Sequence, residues 1–124
     1  MKNLTKNNLE DFINYYHYFH DSYITNINYD ITNSKIEFFI NVTWSGEPIL
    51  KDNNTYETNK TKLQIVFSDI LEYTNKEIFS YEYIDKIFIK YINIDNKEYI
   101  CFATDNKEPS LYIICSNIEY NEIK

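Results

Sequence analysis

Ile87-Phe88-Ile89-Lys90-Tyr91-Ile92-Asn93-Ile94-Asp95-Asn96-Lys97-Glu98-Tyr99-Ile100-Cys101-Phe102-Ala103-Thr104 carries the clearest strand pattern of the chain. Two runs rich in Ile, Tyr and Phe flank Asp95-Asn96, and such a dipeptide between β-forming runs is a hairpin signal. A second turn at about Asn106 to Ser110 adds a third run, so the spacing predicts strands over residues 86–93, 98–104 and 111–118. A two-residue first turn sets Ile89 opposite Phe102 and Tyr91 opposite Ile100. A five-residue second turn sets Phe102 opposite Ile114 and Thr104 opposite Tyr112. Ile87, Ile89, Tyr91, Ile100, Phe102, Tyr112 and Ile114 then share a face that must be core, because side chains alternate along a strand. The opposite face carries Phe88, Cys101, Ala103, Ile113 and Cys115, a notch of small residues suited to a helix or a partner. In this register Cys101 stands directly opposite Cys115, so a cross-strand disulfide and a pair of reduced, buried thiols both stay open.

Outward from the meander, the pattern changes twice. Leu9, Phe12, Ile13 and Tyr16 recur at helical spacing, and Asn7 followed by Glu10 reads as a cap, which predicts a helix over residues 8–18. After Phe19-His20-Asp21-Ser22 the period becomes two. Tyr23 to Asp30 and Ile36 to Val42, joined by Thr32-Asn33-Ser34, read as a β-hairpin, and Leu63, Ile65 and Phe67 mark a further strand. Residues 45–60 read as the longest loop, and Glu72 to Asp85 alternates acids with tyrosines without a clear period. Residues 1–124 are expected to form one domain of the α+β class: an N-terminal helix on a strongly curved, mainly antiparallel sheet of about six strands.

Composition narrows the function. Nineteen acidic side chains against twelve lysines, with no arginine, give a formal charge of −7. That balance argues against nucleic acid, whose binders neutralise phosphate with basic side chains. Neither a signal-peptide core nor an apolar run of about 18 residues is present, so no membrane partner and a cytoplasmic location are expected. One glycine, Gly46, cannot build a phosphate-cradling loop, and two cysteines without a CxxC pair cannot build a thiolate zinc site. No cofactor is expected. His17, His20 and Asp21, at i, i+3 and i+4, would share one side of a continuing helix, as a metal or acid–base site requires. The same residues also suit a structural corner that satisfies loose backbone groups. Ser22 beside His20 is the one local nucleophile candidate, and paired carboxylates such as Glu82 and Asp85 suit acid–base work or plain surface solvation.

Binding residues are sought where aromatic rings meet acids. Trp44 and Glu47, at the start of the long loop, and Tyr81, Glu82, Tyr83 and Asp85 combine amphipathic rings with negative charge, a combination that steers basic partners. Solvation of a sheet edge explains the same charges.

Phe19-His20-Asp21-Ser22, followed by Ile24, Ile27 and Tyr29 and a second strand with Ile36, Phe38 and Ile40, resembles the opening of small bacterial immunity-type proteins of polymorphic toxin systems. Leu63 to Ile70 is similar to a later strand of those families. The resemblance implies a non-enzymatic partner for a toxin domain, with His20 and Asp21 serving the fold or a binding surface. The expected partner is a basic toxin domain covered by an acidic, tyrosine-rich face. A small-ligand carrier with an apolar pocket, a hydrolase using His17, His20 and Asp21, and a homodimer formed through the meander edge are the competing expectations.

Overall fold

The computed structural model describes residues 1–75, 82–84, 86–104 and 111–123, with the backbone alone for Glu82 and Tyr83. In chain order the elements are β1 (Lys2–Asn3), α1 (Leu9–Tyr15), a short turn of helix at His17–Phe19, β2 (Ser22–Asp30), β3 (Lys35–Val42), β4 (Ile49–Leu50), β5 (Tyr56–Glu57), β6 (Thr61–Asn75), β7 (Glu82–Ile84), β8 (Ile87–Ile94), β9 (Lys97–Thr104) and β10 (Leu111–Ile123). A mainly antiparallel sheet with one α-helix packed on it matches the α+β expectation.

Two finer expectations are corrected. Seven strands, not six, follow the order β7-β2-β3-β6-β10-β9-β8, and β1 pairs with the end of β10 beyond the reach of β9. The strong curl is also absent: the sheet is open, and among the described residues no ladder joins β7 to β8. Bending brings the rings of Phe38, Phe67 and Phe102 together, with centroids 4.9, 5.1 and 5.7 Å apart. These rings come from β3, β6 and β9 and fill the inner face with Ile36, Ile40, Leu63, Ile65 and Ile113. At one corner the sheet edges converge, because Ile84 and Ile87 are separated by three peptide steps of ~3.8 Å each.

The β8–β9 hairpin has the expected register, with Ile89 opposite Phe102 and Tyr91 opposite Ile100. The β9–β10 register is one residue away from expectation: Phe102 faces Ile113 and Ala103 faces Tyr112. A five-residue turn over 106–110 would have set Tyr112 opposite Thr104, whereas Tyr112 stands opposite Ala103, and a shift of one turns the paired side chains of β10 to the other face. Leu111, Ile113 and Cys115 therefore point into the core, and Tyr112 and Ile114 lie on the opposite face, where Ile114 is buried as well. Cys101 now faces Ile114 and Cys115 faces Ile100, which places the thiols on opposite faces and removes the geometry for a disulfide. Asp95 and Asn96 both have positive φ, 51° and 66°, as a two-residue hairpin turn with matching twist demands. Glycine meets the second of these angles without a Cβ penalty, so Asn96→Gly is expected to raise stability by roughly 0.5 kcal/mol. A urea midpoint at or below that of the unaltered protein would contradict this.

Bulges explain where simple alternation fails. Ile24 and Ile27 both face core residues of β3, Ile40 and Phe38, because the register shifts between Ile24 and Asn26. In β6, Asp69 has φ 56°, and the β6–β10 register slips where Ile114 faces Glu72 and Cys115 faces Ile70. β6 runs fifteen residues, well past the expected strand, and absorbs Glu72 and Tyr73. The expected loop at 45–60 folds back on itself as the small β4–β5 hairpin.

The helix is shorter than expected, and its start and end both differ. Asn8, not Asn7, precedes the first helical residue. Its side chain accepts from the Thr5 N–H at 2.7 Å and donates to the Asn3 carbonyl, and it makes no capping bond to α1. At the other end the chain leaves the right-handed helix after Tyr15, and His17, Tyr18 and Phe19 take φ values of 50°, 55° and 57°. Three consecutive left-handed residues other than glycine cost about 1–2 kcal/mol each. Burial of the Phe19 ring against Phe12 and Tyr16 holds them there, as do bonds from Phe19 N to Tyr16 O and from His20 N to His17 O. Among the described residues no helix is long and apolar enough to cross a membrane.

Candidate functional site

One end of the sheet gathers the start of β2, the ends of β3 and β10, the start of β6 and the C-terminal half of α1. Ladder partners fix this: Ser22 pairs with Ile84, Tyr23 with Asn41, Val42 with Thr61, and Lys62 with Ile123. Each strand ends there because the chain must cross to the next element, and the left-handed corner at His17–Phe19 delivers α1 onto that end.

The segment after β3 is pinned at both sides of Trp44. Thr43 Oγ1 donates to the Asp21 carbonyl at 2.6 Å, and Ser45 Oγ donates to the Asn59 carbonyl at 2.7 Å. Gly46 N donates to the Tyr15 carbonyl at 2.8 Å, and His17 Nε2 lies 2.6 Å from the Gly46 carbonyl. A carbonyl only accepts, so Nε2 of His17 carries the proton. Gly46 sits at φ 67°, with the Tyr15 ring 3.4 Å from where a Cβ would stand. Any L-residue there strains the backbone and crowds Tyr15.

Trp44, one of the residues expected to bind a partner, is half-buried. Its ring lies 6.1 Å from that of His17, and its indole N–H is buried with no hydrogen-bond partner among the described residues. Glu47 is exposed, as expected. His20 Nε2 and Asp21 Oδ2 are 3.3 Å apart at the partly exposed corner. The continuing helix that would group His17, His20 and Asp21 does not exist, and His17 is committed to Gly46. Among the described residues no group of three His, Cys, Asp or Glu side chains is placed to hold a metal ion. Ser22 is fully buried, and its Oγ accepts from Thr43 N at 3.4 Å. Glu82 and Tyr83 lie on β7, whose backbone pairs with Ile24 and Tyr23 of β2, next to the same corner. Tyr81 and Asp85 fall outside the described residues.

Tyr15 is the centre of the arrangement, and sequence reasoning passed over it. Half-exposed at 50%, it separates two depressions of about 460 Å³ each. One is lined by Asn14, His17, Gly46, Glu47 and Pro48. The other is lined by Lys2, Asp11, Phe12, Tyr16, Tyr120 and Glu122. In the latter, Tyr16 donates to Glu122 Oε1 at 2.7 Å. Burial first, and the Glu122 carboxylate second, hold the Tyr16 phenol well above its ordinary range, so it stays a donor. A third depression of about 710 Å³ shares Glu122 and continues to Tyr23, Thr43, Lys60 and Lys62. The end of the sheet is thus divided into an aromatic, acidic half against α1 and a lysine-bearing half at the start of β6. The signal for the acidic half was present in the run Glu119-Tyr120-Asn121-Glu122, an acid–tyrosine alternation like that of residues 81–85.

No family model and no curated protein matches this chain. The reading of the site therefore stands on geometry and charge. The site presents rings with polar tips beside exposed carboxylates on a pinned backbone.

Proposed function

We propose that this protein is a non-enzymatic binding module of the immunity type, which neutralises a cognate bacterial toxin by covering a basic surface with an acidic, tyrosine-bearing face. The observation that carries the reading is the convergence of Asp11 and Tyr15 from α1, Glu47 from the loop after β3, and Glu122 from β10 around a single exposed ring. Three segments far apart in sequence supply one surface whose charge follows the −7 of the whole chain. His20 and Asp21 contact each other at the corner after the helix, and the backbone of β7, bearing Glu82 and Tyr83, pairs with the start of β2.

The test is direct binding to the toxin domain encoded beside the protein, at low and at high salt. Affinity is expected to fall as salt rises, because exposed charges are screened over a Debye length of about 8–10 Å. Tyr15→Ala with Glu47→Lys is expected to weaken binding by at least about tenfold, the effect of about 1.4 kcal/mol at a central contact. The melting temperature should stay within a few degrees, since both side chains are exposed. Binding that ignores salt, or no binding to any neighbouring toxin domain, would overturn the proposal. The alternative, a small-ligand carrier, would place its ligand against the inner face that Phe38, Phe67 and Phe102 fill, and the ligand would have to displace those rings.

A further inference from the structure

The depression between α1 and the end of β10 has a composition of its own. Its floor and walls are aromatic: Phe12 and Tyr120 rings are 4.6 Å apart, Phe12 and Tyr16 5.1 Å, and Tyr15 and Tyr16 4.9 Å. Its rim carries two carboxylates, Asp11 and Glu122, against one ammonium, Lys2. Among the described residues neither carboxylate is engaged in an ion pair, while the Tyr16 hydroxyl fixes one oxygen of Glu122 in place. Volume adds to the case: about 460 Å³ lies within the range of sites that enclose a small group.

We propose that this pocket receives an arginine side chain of the protein partner. The inference rests on the binding function proposed above and names the chemistry of one contact. A guanidinium is planar and weakly hydrated, stacks on aromatic faces and meets a carboxylate through two parallel N–H donors. Lysine, a compact and strongly hydrated point charge, uses neither the flat walls nor the fork geometry. This chain contains no arginine, so a second copy cannot supply the group and the occupant belongs to another molecule.

The experiment is an NMR titration with N-acetyl-arginine methylamide, using the lysine and the uncharged citrulline analogues as comparisons. The arginine probe is expected to shift the ring resonances of Tyr15, Tyr16 and Tyr120, and the citrulline probe to leave them in place. Glu122→Gln retains an acceptor for Tyr16 and removes the charge, and should weaken the arginine probe about fivefold. Asp11→Asn, on an exposed helix position, should act in the same direction, and Lys2→Gln should tighten binding. Equal shifts with citrulline, or affinity unchanged in both carboxylate variants, would overturn the proposal. A salt-sensitive complex with the toxin that both variants form as tightly as the unaltered protein would remove the pocket and leave the function standing. Arginine binding at these rings without any toxin complex would do the reverse.

Discussion

Phe102→Ala is expected to lower the unfolding free energy by about 3–5 kcal/mol, read as a shift of the urea midpoint at an unchanged slope. Phe102 is fully buried and touches both Phe38 and Phe67, so truncation opens a hole between β9 and two strands with which it does not pair. Because β3, β6 and β9 each contribute one ring, the surroundings cannot collapse into the space without moving three backbones. A domain of this size has only about 5–15 kcal/mol of stability in all, so the variant should be close to unfolded at physiological temperature. Phe102→Leu keeps most of the volume and should cost far less. If alanine and leucine behaved alike, the inter-strand ring contact would not be what holds the inner face together.

The second large effect is alkaline. Burial pushes the Cys115 thiol up to about 12, opposed in part by a hydrogen bond from the Asn117 backbone and reinforced by Cys101 and Asp69. Tyr16 is raised by burial and by Glu122, and Tyr112 by burial and by its contact with Cys101. In the unfolded chain these groups lose their protons near pH 9 to 10, while in the folded protein they keep them. The unfolded state then binds fewer protons, and stability falls with rising pH. The contribution is fully present below about pH 9 and is lost as pH climbs through about 12 for Cys115. Urea midpoints at pH 8, 9.5, 10.5 and 11.5 should decline steeply, and Cys115→Ala should flatten part of the decline. A midpoint that held constant to pH 11.5 would show that these groups are not sequestered in the native state.

Asp30 offers a contrast at the acid end. Its carboxylate accepts from the Asn33 side chain at 2.7 Å and from the Asn33 backbone at 3.2 Å, and these bonds hold it below the usual carboxylate range. This Asx contact shapes the β2–β3 turn, whose place was legible from Thr32-Asn33-Ser34.

Legibility differed in the same way across the molecule. The β8–β9 pairing was readable because its turn is two residues long and admits one register. The β9–β10 pairing was not: five and six connecting residues are both sterically allowed, and the choice between them reverses the buried set of β10. The lack of alternation in residues 111–115 left either face open, since Tyr112 and Ile114 suit burial as Ile113 and Cys115 do. The helix end was misplaced because nothing local announces three left-handed residues without glycine. The buried ring of Phe19 and the contacts of His17 with Gly46 hold them. Of the residues singled out for binding, Glu47 stands exposed, whereas Trp44 turns its N–H inward because its neighbours are clamped to Asp21 and Asn59.

Taken by itself, the sequence determined the class of secondary structure, the antiparallel hairpins and the sign of the surface charge. Those properties follow from period-two alternation, turn residues and a count of ionisable groups, all of which act over a few residues or over the whole chain regardless of path. Only the tertiary structure decided which faces are inner, where the bulges fall and that Asp11, Tyr15, Glu47 and Glu122 meet. Those outcomes depend on pairings between strands distant in the chain, where a single extra residue in a connection or a bulge reverses the side on which every following side chain lies.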